Sequence, residues 1–552
     1  MGKRAVWGGC GVAIALSLAF QVQAAERAPA DIPHLVAHGT TQQLVVDGKP
    51  FLVLGGELSN SAASSADYLS HLWPGLKAVG LNTVIAPVEW DQIEPEQGHF
   101  DFTVADSLIK QARANNMHVV LLWFGAWKNS MSTYAPAFVK RNYQLYAKAQ
   151  DDKGQPQDIL SPFDPDTLKA DQLAFSALMA HLKATDTART VVLVQVENEI
   201  GMLPVVRDYG PQAQTAWSGP VPPVLMAYLA AHRDSLNPYV KDLWAAQGFR
   251  TTGTWAEVFG TSIPAQEVFQ AWYFAVFAND LTRAGKAAYG LPMYVNVALN
   301  RPGKAPGEYP SAGPLPHLFD VWKAGGPDID MISIDMYFPN FKDWAAKFKR
   351  PDNPFFSPED NQAGRDDGGA NAFYAIGELD SMSFSPFAID KLKPDNSANL
   401  TSAYAVLHQI MPQALAAQGT GRMRGFKADV SYDGVASEHP TVFELGGYRF
   451  TATYDDKNAP EPKRDIANNG GLIIQTGDNE FLVAGQGVTL TFEDAADPHM
   501  AVGIEKDVEG QYVNGAWTPG RWLNGDETLE GRHLHLPGDG FSIQKLTLYK
   551  YK

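Results

Sequence analysis

Cysteine is almost absent: Cys10 is the only one in 552 residues. It stands before an apolar stretch with no aliphatic residue three positions upstream, which argues against lipid attachment there. Disulfides are therefore excluded, and stability must come from core size. Charge is sparse as well, at 19% Asp, Glu, Lys and Arg, too little for a disordered chain. The formal balance is -17 and no basic stripe occurs, which argues against nucleic acid, whose phosphates are bound by Lys and Arg. There is no His-x-x-x-His, cysteine pair or adequately spaced calcium loop, so no metal and no cofactor are expected. No Gly-x-Ser-x-Gly suggests an esterase, and the turn GGELSNS after the first apolar run is not a Gly-rich phosphate turn.

Long apolar runs are missing except at the start. Lys3 and Arg4, Val12 to Phe20, and Val22-Gln23-Ala24 supply the charged start, apolar centre and cleavage site of a signal peptide. The run is too short to span a bilayer and no second one follows, so no membrane anchor is expected. Residues 1–24 are read as a leader cleaved near Ala24 or Ala25, which removes two positive charges and takes the balance from -17 to -19. Export without disulfides suits a bacterial periplasmic protein, with secretion as the other destination.

What is present is apolar and aromatic. Hydrophobic residues make up 45%, with 13 Trp, 20 Tyr and 28 Phe, enough for large cores and for flat rings that suit sugar faces. At this length two to three domains are expected. The most informative stretch is TVVLVQVENEIG, Thr190 to Gly201. Its β-branched run is that of a strand buried on both faces, and it turns abruptly into Glu197, Asn198 and Glu199. Similar runs end at Glu57, at Val88, at Phe124 and at Leu299. Three more are MISIDMY (Met331 to Tyr337), NPFFSPE (Asn353 to Glu359) and FYAIGE (Phe373 to Glu378). Eight apolar strands alternating with helical segments predict an α/β fold, a (β/α)₈ TIM barrel over residues 25–395. Beyond it, a helix from Leu400 to Leu415 and short alternating strands predict a smaller antiparallel all-β domain, 396–552.

In such barrels the chemistry sits at the C-terminal ends of the strands. The residues placed there are Glu57, Trp90, Glu94, Trp127, Asn129, Asn198, Glu199, Tyr337 and Glu359. Strands four and seven lie across the barrel, so Glu199 and Glu359 are candidates for two carboxylates roughly 5 to 5.5 Å apart, as retaining glycoside hydrolysis requires. Asn198 would contact the sugar 2-hydroxyl, and Tyr337 would hold the nucleophile. Glu378 competes for the nucleophile's role, and Glu197 is read as structural support. Glu57 and Glu94 are read equally as sugar contacts or as buried pairs holding the barrel. Trp90, Trp123, Trp127, Trp217, Trp255 and Phe384 are candidate stacking rings, each individually read more readily as packing.

The segment TVIAPVEWDQIEPEQGHFDF resembles W-x-x-x-E-P-x-x-G-x-F-x-F of glycoside hydrolase families 35 and 42, and VQVENEIG resembles the acid/base signature of family 35. The resemblance spans Phe51 to about Asp390. It implies that Glu199 is the acid/base and Glu359, in FFSPE, the nucleophile of a β-galactosidase. The C-terminal domain resembles the extra domain of one bacterial branch, where xyloglucan side chains are a substrate class. A departure is LLWFGAWKN, which stands where the family has a Cys-Ala-Glu-Trp type segment that helps select galactose. The expected function is thus a retaining exo-β-galactosidase on plant-derived oligosaccharides. The alternatives are a β-glycosidase of other sugar specificity or a periplasmic sugar-binding protein. Homo-oligomerisation is left open.

Overall fold

The computed structural model describes residues 1–2, 32–454 and 465–552. The expected leader and Cys10 thus lie outside the described residues, apart from the first two positions. The first four barrel strands are Val53–Glu57, Thr83–Glu89, His118–Lys128 and Val191–Asn198, paired in parallel in chain order. Met293–Val295 and then Met331–Ile332 continue the sheet. The far part of the sixth strand, Asp335–Met336, pairs with the seventh at Glu359–Asp360. The eighth, Ser383–Phe384, closes the ring onto Val53 and Leu54. Each strand sends an apolar side chain inward, among them Val53, Ile85, Val120, Val192, Tyr294, Met331, Phe356 and Met382. This fills the barrel as a packed core. Leu44 and Val46, from an N-terminal strand Thr41–Val46, join the same cluster.

The eighth strand is a correction. FYAIGE lies in a helix, Gly368–Leu379, whose residues are almost all buried. A helix apolar all round reads locally like a buried strand, and this one is sandwiched between the barrel and the second domain. Glu378 is accordingly removed from the barrel mouth. It accepts two hydrogen bonds of 2.8 Å from Arg424, tying the helix to the second domain.

The helix Ala398–Ala417 lies between barrel and β domain: Gln409 Oε1 accepts from Tyr512 N–H at 2.9 Å and Ser402 Oγ from Phe541 N–H at 3.0 Å on the β side. Tyr404 donates to the carbonyls of Gly55 and Phe384 at 2.7 and 2.8 Å, bridging the first and eighth strands. On the barrel side it thus closes the seam between the first and last strands. The second domain is a sandwich of a six-stranded and a four-stranded antiparallel sheet. Phe426, Phe443, Phe450, Phe481, Leu490 and Leu546 fill the space between them. The opposite face of the larger sheet, with Leu472, Ile474, Leu482 and Ile543, joins the barrel core.

That junction depends on glycine. A Cβ on Gly377 would sit 2.7 Å from Leu472 Cβ and 2.8 Å from Gly425 Cα, so helix and sheet meet backbone to backbone. Gly377→Ala should cost about 1–3 kcal/mol by overpacking. Thermal unfolding should report it as a midpoint lowered by several degrees, and an unchanged midpoint would contradict this junction.

Candidate active site

The third and fourth strands part company at their C-terminal ends. Trp123 pairs with Val196 and Lys128 with Asn198, so five residue steps of one strand face two of the other. The resulting bulge is held from beneath by carboxylates. Glu197 accepts from the backbone N–H of Ala126 at 3.1 Å and of Trp127 at 2.7 Å. Asp171, from the helix Pro165–Thr185, accepts from Ala126 N–H at 3.0 Å and Trp123 Nε1 at 2.8 Å. Gly125 occupies the tightest point: a Cβ there would lie 2.3 Å from Trp123 Nε1 and 2.7 Å from Glu197 Oε1. Glu197 and Glu199 both adopt left-handed backbone, at φ 60° and 46°. Such φ values in non-glycine residues are costly, and they persist here because the surrounding bonds fix them. Glu197 therefore points down into support while Asn198 and Glu199 turn to the mouth.

The mouth holds four buried carboxylates: Glu57, Glu199, Asp335 and Glu359. Burial, then the charge of Glu359, raises Glu199 to about 7, against the pull of Lys128 and a hydrogen bond with Asp335. Glu359 is raised by burial and held down by Lys128, Tyr337 and Glu57. Tyr337 donates its hydroxyl to Glu359 Oε1. Glu57 is pushed well up by burial and then by the charge of Glu359, so it is a neutral acid that donates to Glu359. Asp335 is also driven well up, by burial and then by Glu359 and Glu199. It accepts from Asn296 Nδ2 at 2.6 Å, while Asn296 Oδ1 receives the Glu199 N–H at 2.9 Å. Burial thus pushes all four carboxyls up, Glu57 and Asp335 well up, while Lys128, Tyr337 and Glu57 oppose that push at Glu359.

Two buried polar groups here have no hydrogen-bond partner: Asn198 Nδ2 and the Tyr294 hydroxyl. Unpaired buried polar atoms are rare, and this concentration suits a ligand rich in hydroxyls. A cavity of about 460 Å³ opens beside them, lined by Asn129, Glu199, Asp335, Tyr337 and Phe338, and by Leu203, Arg301 and Tyr309 from two loops. A larger one, about 650 Å³, lies by Tyr143 and Asp208, but there the buried carboxylate is already taken up by Ser161, Gln150 and Gly210.

The structure thus brings together Glu57, Asn129, Asn198, Glu199, Tyr337 and Glu359. It does not bring Trp90 or Trp127 to a ligand: both are fully buried. Trp90 donates to Glu94, itself buried and also accepting from Gly98 N–H. Trp127 packs edge-on against Phe274 and Phe277 of an outer helix and donates to the Leu160 carbonyl. Trp123, Trp255 and Phe384 are equally enclosed, and Trp217 is half-buried against Phe269. The rings at the cleft are instead Tyr309, Tyr337 and Phe338. Phe338 meets Tyr432 of the β domain edge to face at 5.1 Å, where the second domain reaches the rim. Sequence reasoning missed Lys128, Asn296 and Asp335. Each is a polar residue set into an apolar strand end, and that signal was available.

Fold and cluster together define a (β/α)₈ protein with its polar centre at the C-terminal face of the strands. Residues 43–127, covering the first three strands, match glycosyl hydrolases family 35. Residues 400–535 match a domain of unknown function (DUF5597). A β-galactosidase of Xanthomonas manihotis is 30% identical over 196 residues, which are 34% of this chain and 30% of that protein's length. The chain thus matches less than a third of that relative. Among solved structures, a cold-adapted β-galactosidase from Rahnella sp. R3 aligns with a TM-score of 0.47 at 13% identity, covering 91% of this chain and 99% of that one. One from the psychrophilic Marinomonas ef1 aligns at 0.44 and 14%, covering 65% and 60%.

The bulge generates a prediction. Glu197 is driven well up by burial and then by Asp171, so it is a neutral acid donating to Asp171. In Glu197→Gln the amide would donate to Asp171, its oxygen would accept from Trp127, and Ala126 would keep Asp171. Turnover and fold should then stay within a few-fold of wild type, whereas Glu197→Ala, which releases the bulge, should lose about 100-fold or more. Equal losses in the two variants, measured as kcat/KM, would contradict this protonation.

Proposed function

We propose that the protein is a retaining exo-β-galactosidase that releases terminal β-linked galactose from plant-derived oligosaccharides, xyloglucan side chains among them. The observation that carries the reading is the pair of buried carboxyls at the ends of the fourth and seventh strands: burial and the charge of Glu359 push Glu199 up to about 7, while Lys128, Tyr337 and Glu57 oppose the upward push of burial on Glu359. In the first step Glu359 attacks the anomeric carbon, and the bond to the leaving oxygen breaks as Glu199 gives that oxygen its proton. The sugar is then bound covalently to Glu359. In the second step Glu199, now a carboxylate, takes a proton from water, whose oxygen displaces Glu359 from the same carbon. Two inversions return the original configuration. Asn198 Nδ2, buried beside this centre, is positioned to donate to the 2-hydroxyl.

The exo reading is supported by the loops that line the cavity: Leu203 follows the fourth strand, and Arg301, Glu308 and Tyr309 follow the fifth. They are joined by the backbone pairing of Met202 with Ser311. The leader supports a periplasmic site of action. The segment Gly125-Ala126-Trp127-Lys128, which departs from the family's galactose-selecting pattern, favours one second reading: the same mechanism on another β-linked sugar. A panel of nitrophenyl β-glycosides separates the two. Galactoside preference is expected, and preference for glucoside or glucosaminide would replace it. Products from a galactosylated xyloglucan oligosaccharide should be galactose and the trimmed core, and early internal fragments would exclude the exo mode.

The pH profile follows from the same pair. Activity needs Glu359 ionised and Glu199 protonated, so it should rise through the pKa of Glu359, which burial lifts, and fall again near pH 7. The optimum should be mildly acidic. In Glu199→Gln the basic limb should vanish, and a basic limb left unchanged would show that the acid is another group.

Stereochemistry separates the two carboxylates. Glu359→Gly should lose several orders of magnitude, and azide attacking an activated β-fluoride from the vacated side should give an α-azide. Glu199→Ala with a dinitrophenyl leaving group should be rescued by azide with retention, as the β-azide. Exchanged products would exchange the roles.

A further inference from the structure

Lys128 is a buried lysine that takes part in no proton transfer or bond formation of the two-carboxylate mechanism. Its residue is 7% exposed, its Nζ lies 2.8 Å from Asn198 Oδ1 and 4.9 Å from the centre of the Phe124 ring. Among the described residues no carboxylate oxygen comes within 4.0 Å of it. A buried ammonium without a close ion pair is expensive to desolvate. Here the chain also builds a supported bulge, with Gly125 at its tightest point, whose last residue is this lysine.

Two consequences of its position can be read from chemistry. A lysine ammonium only donates, so the Asn198 atom facing it must be the carbonyl oxygen. That fixes the amide: Nδ2 is turned away from Lys128, and it is buried with no protein partner. A donor so placed meets a lone pair on a sugar hydroxyl. The second consequence is electrostatic. The ammonium acts on Glu57 from the first strand, Glu199 from the fourth, Asp335 from the sixth and Glu359 from the seventh, and in each it favours the charged form. Tyr337 and Tyr294 face the same cluster, and Arg301, Glu308 and Tyr309 line the cavity beside it.

We propose that Lys128 is a positioning residue of this site: it locks the Asn198 amide with its donor toward the substrate's 2-hydroxyl and supplies the positive charge shared by the four carboxylates. The proposal rests on the glycosidase reading for its substrate, but its electrostatic half does not need turnover. It assigns the departure from the family's segment after the third strand a function of its own.

The test uses the full chain as wild type, Lys128→Met, Lys128→Gln and Lys128→Arg, each checked for folding by circular dichroism. Carboxyl resonances of ¹³C-labelled glutamate, assigned with Glu199→Gln and Glu359→Gln, are titrated. Removing the charge should move the midpoints of Glu199 and Glu359 upward by about one pH unit, and Lys128→Arg should leave them near wild type. Midpoints that stay put in both neutral variants overturn the proposal. If Lys128→Met does not fold, Lys128→Gln decides the same question. In turnover, both limbs of the pH profile should move to higher pH in the neutral variants, which a merely structural defect would not do. A 2-deoxy-β-galactoside should be about 100-fold poorer than its parent on wild type and less than about 10-fold poorer on Lys128→Met. An undiminished penalty overturns the amide-locking role. Wild type inactive on every β-glycoside would sink the glycosidase reading and the amide-locking role with it, while the titration would still decide the shared charge.

Discussion

Four carboxylates cannot all be ionised in one water-poor barrel mouth, and the structure follows from how that repulsion is resolved. Desolvation raises every member, and Coulomb repulsion then separates them. At Glu359 the upward push of burial is opposed by the charge of Lys128 and by hydrogen bonds with Tyr337 and Glu57. Glu57 and Asp335 are driven to the neutral acid, and Glu199 is left at the intermediate position of about 7. Such coupled groups titrate as a set, so their protonation is a property of the cluster rather than of any one residue.

The backbone is shaped to present that cluster. The left-handed φ values of Glu197 and Glu199 put successive side chains to opposite uses, one into the carboxylate support under the bulge and the next into the mouth. The barrel wall behind is rigid: Tyr404 ties the first and eighth strands, and the helix Gly368–Leu379 is clamped to the β domain through Glu378 and Arg424. The second domain therefore completes the cover of the barrel's last helical layer, and with Tyr432 it also touches the rim of the cleft.

The apolar strands with helical intervals made the barrel readable, because buried parallel strands leave long β-branched runs such as Val191–Asn198. Reading failed where the elements are short. Ser383–Phe384 is two residues long and carries no period, while the apolar helix Gly368–Leu379 has the composition of a buried strand. Glu199, Asn198, Glu359 and Tyr337 were legible as polar residues terminating strands. Trp90 and Trp127 were not placed correctly, because an aromatic at a strand end reads alike whether it faces the mouth or the helices. Lys128, Asn296 and Asp335 escaped because their importance comes from contacts between strands far apart in sequence: Lys128 with Asn198, and Asn296 with Asp335.

In the proposed mechanism Glu359 is the carboxylate whose oxygen bonds covalently to the sugar. The most direct test is to trap that bond with a 2-deoxy-2-fluoro-β-galactosyl fluoride, digest the protein and locate the modified residue by tandem mass spectrometry. The account predicts stoichiometric labelling of Glu359 in the FFSPE segment, with loss of activity in step. A label on Glu57, Glu199 or Asp335 would contradict it.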